Sequence, residues 1–182
     1  MTAALWRRLD VPGHDACRLR PAAGGWVLDG TAVFRHAGAP AALAYRVECD
    51  AAWQTRRGRV RGWLGDRAVD QAVERAPDGA WTLDGVAAPG LDGLVDLDLG
   101  FTPATNLIQL RRVALAVGEA AEVPVAWLDA GADALLALAQ RYERRTEATY
   151  WYESPGVPYA ALLELAPSGF ARRYPGLWEL AE

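Results

Sequence analysis

Turn-forming clusters interrupt the first half of this 182-residue chain about every ten residues, a spacing that leaves room for strands but hardly for helices. Ala23-Gly24-Gly25, Ala37-Gly38-Ala39-Pro40, Gly65-Asp66 and Pro77-Asp78-Gly79 are the punctuation. The last is a strong hairpin signal, because Pro presets φ and Asp-Gly tolerates positive φ. The segments between them, residues 17–20, 26–35, 43–50, 54–64, 68–75 and 80–83, read as successive strands. Together they predict a mainly β chain, an antiparallel meander closed as a barrel or folded as a sandwich.

Alternation supports this. In Tyr45-Arg46-Val47-Glu48-Cys49-Asp50, apolar and charged residues fall on opposite faces. From 53 to 63, Trp53, Thr55, Arg57, Arg59, Arg61 and Trp63 share one face, read as the solvated outside. Arg56, Gly58, Val60, Gly62 and Leu64 share the other, with the glycines permitting curvature or close backbone approach. An inward Arg56 then needs a partner, since an unpaired buried charge is costly.

The second half continues the habit, with strands expected at 94–99, 106–117, 122–128, 149–153, 160–165 and 170–174. Residues 135–145 are Ala- and Leu-rich, which favours one short helix capped by Asp133, or a strand if the surrounding sheet overrides propensity. At most one or two short helices are expected in the whole chain.

Composition bounds the function. With 52% apolar and 23% charged residues, the chain reads as one globular domain spanning 1–182. No apolar run is long enough to cross a bilayer, and the N-terminal stretch lacks the apolar centre of a secretory signal, so a cytoplasmic location is expected. Cys17 and Cys49 are then reduced thiols, and two histidines outside any Cys/His cluster argue against a zinc site. Every basic residue is arginine, which excludes lysine Schiff-base chemistry, and the net charge of −4 argues against a general nucleic-acid binder. Eight tryptophans suit a wide β core or an apolar ligand cavity. GxSxG, GxxxxGK and GxGxxG motifs are absent, Ser154 and Ser168 have no evident histidine partner, and no cofactor is expected.

An ordered set of residues carries a resemblance. It comprises Tyr45-Arg46-Val47 with Trp53 and Arg56, Trp81, Leu91-Asp92-Gly93 with Asp96-Leu97-Asp98, and Thr102-Pro103 with Asn106. It continues through Leu110-Arg111-Arg112, Gln140-Arg141-Tyr142, Tyr150-Trp151-Tyr152-Glu153-Ser154 and Tyr174-Pro175-Gly176-Leu177-Trp178. From about residue 43 to 178 the chain resembles the bacterial family named "putative glycolipid-binding". The resemblance implies a large antiparallel sheet rolled into a barrel or half-barrel, related in shape to carriers of lipoproteins and glycolipids.

The candidate chemistry lies in this set. Asp96 and Asp98, two apart on a strand, face one side about 6–7 Å from each other. They form either an acid/base pair or, the favoured expectation, a buried fork with Arg111 or Arg112 from a neighbouring hairpin strand. If both arginines lie on a strand, at most one faces inward. Gln140 and Tyr142 share a face, as do Tyr150 and Tyr152, and the segment 174–178 reads as a structural clamp over the barrel mouth. The expected function is binding of an amphipathic small molecule, a glycolipid or another acyl-bearing metabolite, in a barrel cavity. Arg56, Asp96, Asp98, Asn106, Arg111, Gln140, Tyr142 and Tyr152 supply its polar lining. The alternatives are a lipocalin-like barrel enzyme, an isomerase or cyclase using Asp96/Asp98 as acid and base, and a protein-partner role without cavity chemistry.

Overall fold

The structure, a computed structural model, describes residues 2–181. Its main feature is a 14-stranded antiparallel sheet in which the chain runs as a meander through β1 (Thr2–Arg8), β2 (Gly13–Ala22), β3 (Gly25–His36), β4 (Ala39–Asp50), β5 (Thr55–Leu64), β6 (Arg67–Arg75), β7 (Trp81–Leu83) and β8 (Val86–Ala87). The later strands β10 (Ala120–Glu122), β13 (Arg141–Arg144), β14 (Thr149–Ser154), β15 (Tyr159–Leu165), β16 (Ala171–Tyr174) and β17 (Trp178–Leu180) extend it on the other side. The two halves join where β17 pairs with β1, Trp6 standing opposite Leu180. The outermost strands, β8 and β10, do not meet, so the sheet is a half-barrel.

A second, three-stranded sheet of β9 (Leu97–Leu99), β11 (Val125–Leu128) and β12 (Leu136–Leu138), together with the single helix among the described residues, α1 (Asn106–Val113), fills the concave side. Leu97, Leu99, Phe101, Leu107, Ile108 and Leu128 are buried there against the sheet's inner face. The concave side is therefore filled by the protein's own core. Both cysteines are free thiols, as expected, and both are buried. No helix among the described residues is long and apolar enough to cross a membrane.

The sequence parity of β5 holds from Arg57 onward, with Gly58, Val60 and Leu64 buried. Gly58 lets the insert press on the sheet: a Cβ there would lie 2.4 Å from Leu97 Cδ2. Gly62, at φ +149°, brings its Cα so near β4 that a Cβ would stand 1.9 Å from the Ala42 carbonyl oxygen. Gly58→Val is expected to destabilise the protein by about 1–3 kcal/mol in urea unfolding, as overpacking does. Combining it with Leu97→Ala should recover part of the loss relative to additivity; strict additivity would show that the two positions are not in contact.

Three expectations are corrected, and one pair of alternatives is decided. Residues 106–113 are helix, not strand: Asn106 through Leu110 are all buried, so the stretch shows no helical stripe, and a short apolar run is ambiguous by period alone. The helix ends at Ala114, which adopts the left-handed conformation and donates its N–H to Leu110 O. Of the two readings of residues 135–145 the strand holds: the segment forms β12 and β13, and Asp133 pairs with Arg67 instead of capping a helix. Tyr174 through Trp178 form a β16–β17 hairpin, which joins the two halves of the sheet, in place of a clamp. Arg56 is exposed, because a bulge sets Thr55 against Cys49 and Arg57 against Glu48, leaving Arg56 as the extra residue on the outside.

Candidate functional site

Asp96 immediately precedes β9 and is fully buried. Arg112, in the last turn of α1, reaches it with Nε 3.0 Å from both carboxylate oxygens and Nη2 2.6 Å from Oδ2. The expected fork thus exists, but it joins a strand to a helix and not two strands of a hairpin. Arg111, its neighbour, is exposed and donates to the Ser168 carbonyl at 3.2 Å. Burial pushes the Asp96 carboxyl above its ordinary pKa, and the Arg112 guanidinium pulls it back.

Asp98 is held differently. Thr105 Oγ1 donates to Oδ1 at 2.6 Å and Gln140 Nε2 donates to Oδ2 at 2.7 Å. Both hydrogen-bond donors are neutral. Burial raises its pKa, against the two hydrogen bonds, and the charges of Asp96 and Asp129 add to the rise. Behind this carboxylate lies a polar layer: Asn106 Nδ2 donates to Tyr142 OH at 2.7 Å, and Tyr142 OH donates to Gln109 Oε1 at 2.7 Å. The two acids that sequence parity paired therefore serve different partners, Asp96 held by Arg112 and Asp98 by Thr105 and Gln140.

Asp98 lies on the wall of a pocket of about 320 Å³, bounded by the β9–α1 loop, the end of β11, β14, β15 and the β16–β17 turn. Asp98, Asn106 and Tyr152 come from the residues read in the sequence; Gln140 and Tyr142 stand directly behind them; Asp96, Arg56 and Arg111 lie elsewhere. Asp129, Trp127, Tyr159, Tyr174, Trp178 and Arg8 also line it. The tyrosines form a triangular cluster, with centroids 6.0 Å apart for Tyr152–Tyr159, 5.6 Å for Tyr152–Tyr174 and 5.4 Å for Tyr159–Tyr174. Arg8 is held by Asp10 through two hydrogen bonds of 2.7 and 2.9 Å and lies 5.2 Å from the Trp178 ring centroid.

The sequence reading missed Asp15. It is fully buried on β2, accepts a hydrogen bond from Tyr45 OH at 2.9 Å, and accepts another from Thr102 Oγ1 on the pocket's loop. Gly30 makes this possible, since a Cβ there would stand 2.4 Å from the Tyr45 hydroxyl. Burial pushes the Asp15 carboxyl up to about 6, despite these hydrogen bonds. The signal was present in the sequence: Asp15 shares strand parity with Cys17 and Leu19, both inward.

These features define an open antiparallel half-barrel, filled by a helix and a small sheet, with an acidic and aromatic pocket at one side of the filling. The chain belongs to the family described as "Putative glycolipid-binding", whose model matches residues 3–180. The crystal structure of a DUF1089 family protein from Pseudomonas aeruginosa is similar to it with a TM-score of 0.79 and 28% sequence identity, covering 91% of each chain. No curated protein matches the chain. Family membership supports a binding role in general terms.

Proposed function

We propose that the chain acts as one binding domain for an amphipathic molecule with a hydroxyl-rich headgroup, such as a glycolipid, and that the Asp98 pocket takes the headgroup. The observation that carries this is Asp98 itself, a buried carboxylate with only neutral hydrogen-bond donors, set among Tyr152, Tyr159, Tyr174 and Trp178. Carboxylates accept hydrogen bonds from sugar hydroxyls, and such charged hydrogen bonds are the strong ones. Aromatic faces supply apolar area against the ring carbons. At about 320 Å³ the pocket is at the small end for ligand sites, which suits a headgroup and leaves an acyl chain outside it. Asn106 helps fix the wall, while Gln140 and Tyr142 orient it from behind.

Octyl glucoside is the probe, with octanol as the sugar-free control, and native mass spectrometry of the purified protein looks for a ligand already bound. The glucoside should raise the melting temperature and octanol should not. Asp98→Asn, which keeps the side-chain shape, should weaken glucoside binding about tenfold, the cost of one hydrogen bond to a charged group. Equal responses to both probes, or undiminished binding by a folded Asp98→Asn variant, would overturn the assignment.

A further inference from the structure

The outer face of β2–β6 carries an ordered array of arginines that the pocket does not use. The register places Arg18, Asp29, Arg46 and Arg59 in one row across four strands, with Glu48 opposite Arg57 and Arg61 opposite Asp70 in the rows beside it. Asp29, Glu48 and Asp70 are each shared by two guanidinium groups. Arg18 and Arg20 lie 2.9 and 3.4 Å from Asp29, Arg46 and Arg57 lie 2.9 and 3.1 Å from Glu48, and Arg59 and Arg61 both contact Asp70. Counting Glu74, which stands opposite Arg57, these rows set six arginines against four carboxylates, an excess of two positive charges on a chain whose net charge is −4, and the exposed Arg35 and Arg56 and the half-buried Asp50 flank them. All six arginine side chains are at least one-third exposed.

Next to this array the same face turns apolar. Val33, Ala42 and Trp63 stand opposite one another on β3, β4 and β5, and Leu5 lies two strands over on β1. Val33, Trp63 and Leu5 are 53%, 44% and 47% exposed. Surplus guanidinium groups beside an exposed tryptophan and aliphatic side chains match two layers of a bilayer surface. The arginines complement anionic headgroups, and Trp63 suits the interface between headgroups and acyl chains.

We infer that this outer face docks the protein on an anionic lipid surface. The inference goes beyond the pocket and does not depend on it, because the test vesicles carry no glycolipid. The experiment is flotation of the full chain with phosphatidylcholine vesicles, with and without phosphatidylglycerol. Binding is expected only with phosphatidylglycerol, and it should weaken as salt rises. Arg46→Gln/Arg57→Gln/Arg61→Gln, which removes three surface charges, should weaken binding at least about tenfold, and Trp63→Ala should weaken it further. Arg61→Glu alone serves if the triple variant does not fold. Binding that ignores phosphatidylglycerol, or is unchanged in a folded arginine variant, overturns the proposal. So does arginine-dependent binding to duplex DNA, or arginine-dependent dimerisation, without flotation.

Discussion

Arg112→Met should lower the stability to urea unfolding by about 3–5 kcal/mol, and the melting temperature by about 10 °C. The effect does not measure the attraction within the pair. It measures what remains when Asp96, fully buried, loses the guanidinium that makes three hydrogen bonds of 3.0 Å or less to it. The Arg112 side chain keeps 24% exposure, so some water reaches the site and the lower end of the range is expected. Asp96→Asn/Arg112→Met should recover much of the loss, since a buried ion pair replaced as a unit is far less costly than one that is halved. A loss below about 1 kcal/mol in the single variant would mean that the pair behaves as a surface contact.

Asp15 should impose the opposite pH dependence from most carboxylates. Its folded pKa is raised from 3.8 to about 6, so between these values the unfolded chain has released the proton that the folded protein retains. The unfolded state then binds fewer protons, and this residue's contribution makes stability fall as pH rises through that window. A shift of about two units corresponds to about 3 kcal/mol. Asp15→Asn removes the contribution. The variant should therefore gain about that much relative to the parent between pH 4 and pH 7 in urea unfolding. Comparing the two proteins isolates Asp15 from carboxylates such as Asp70, whose pKa the hydrogen bond from Arg61 lowers. A difference that does not change with pH would mean that water reaches the carboxyl.

Much of the sheet was legible because strand parity and turn chemistry act locally. The Ala37-Gly38 turn has positive φ at both residues, as a tight hairpin of this twist requires. Arg57, Arg59, Arg61 and Trp63 face outward as their spacing implied. Parity failed at Arg56, where a bulge in the pairing with β4 inserts one residue, and no local pattern announces it. The helix was hidden for a different reason: α1 is buried on all sides through Leu110, so burial erased its amphipathic stripe. At residues 135–145 the high helix propensity of Ala and Leu yields to pairing, Leu138 standing opposite Val125 and Tyr142 opposite Tyr152. The pocket was half legible. Asp98, Asn106 and Tyr152 stood out by residue type, whereas Arg8, Trp127 and Asp129 reach it from segments far apart in sequence.

The pairing of β1 with β17 has a kinetic side. Trp6 is fully buried and its indole N–H donates to the Ala171 carbonyl 165 residues away, while Arg8 stands opposite Trp178. Among the described strands β1 is made first, but one of its two neighbours is the last of them to be made. Until then it is an edge strand with a row of unpaired backbone groups, at the middle of what becomes the sheet. The largest loop-closure entropy in the fold is thus met by a three-residue strand, and folding of the two halves is coupled to the arrival of residues 178–180.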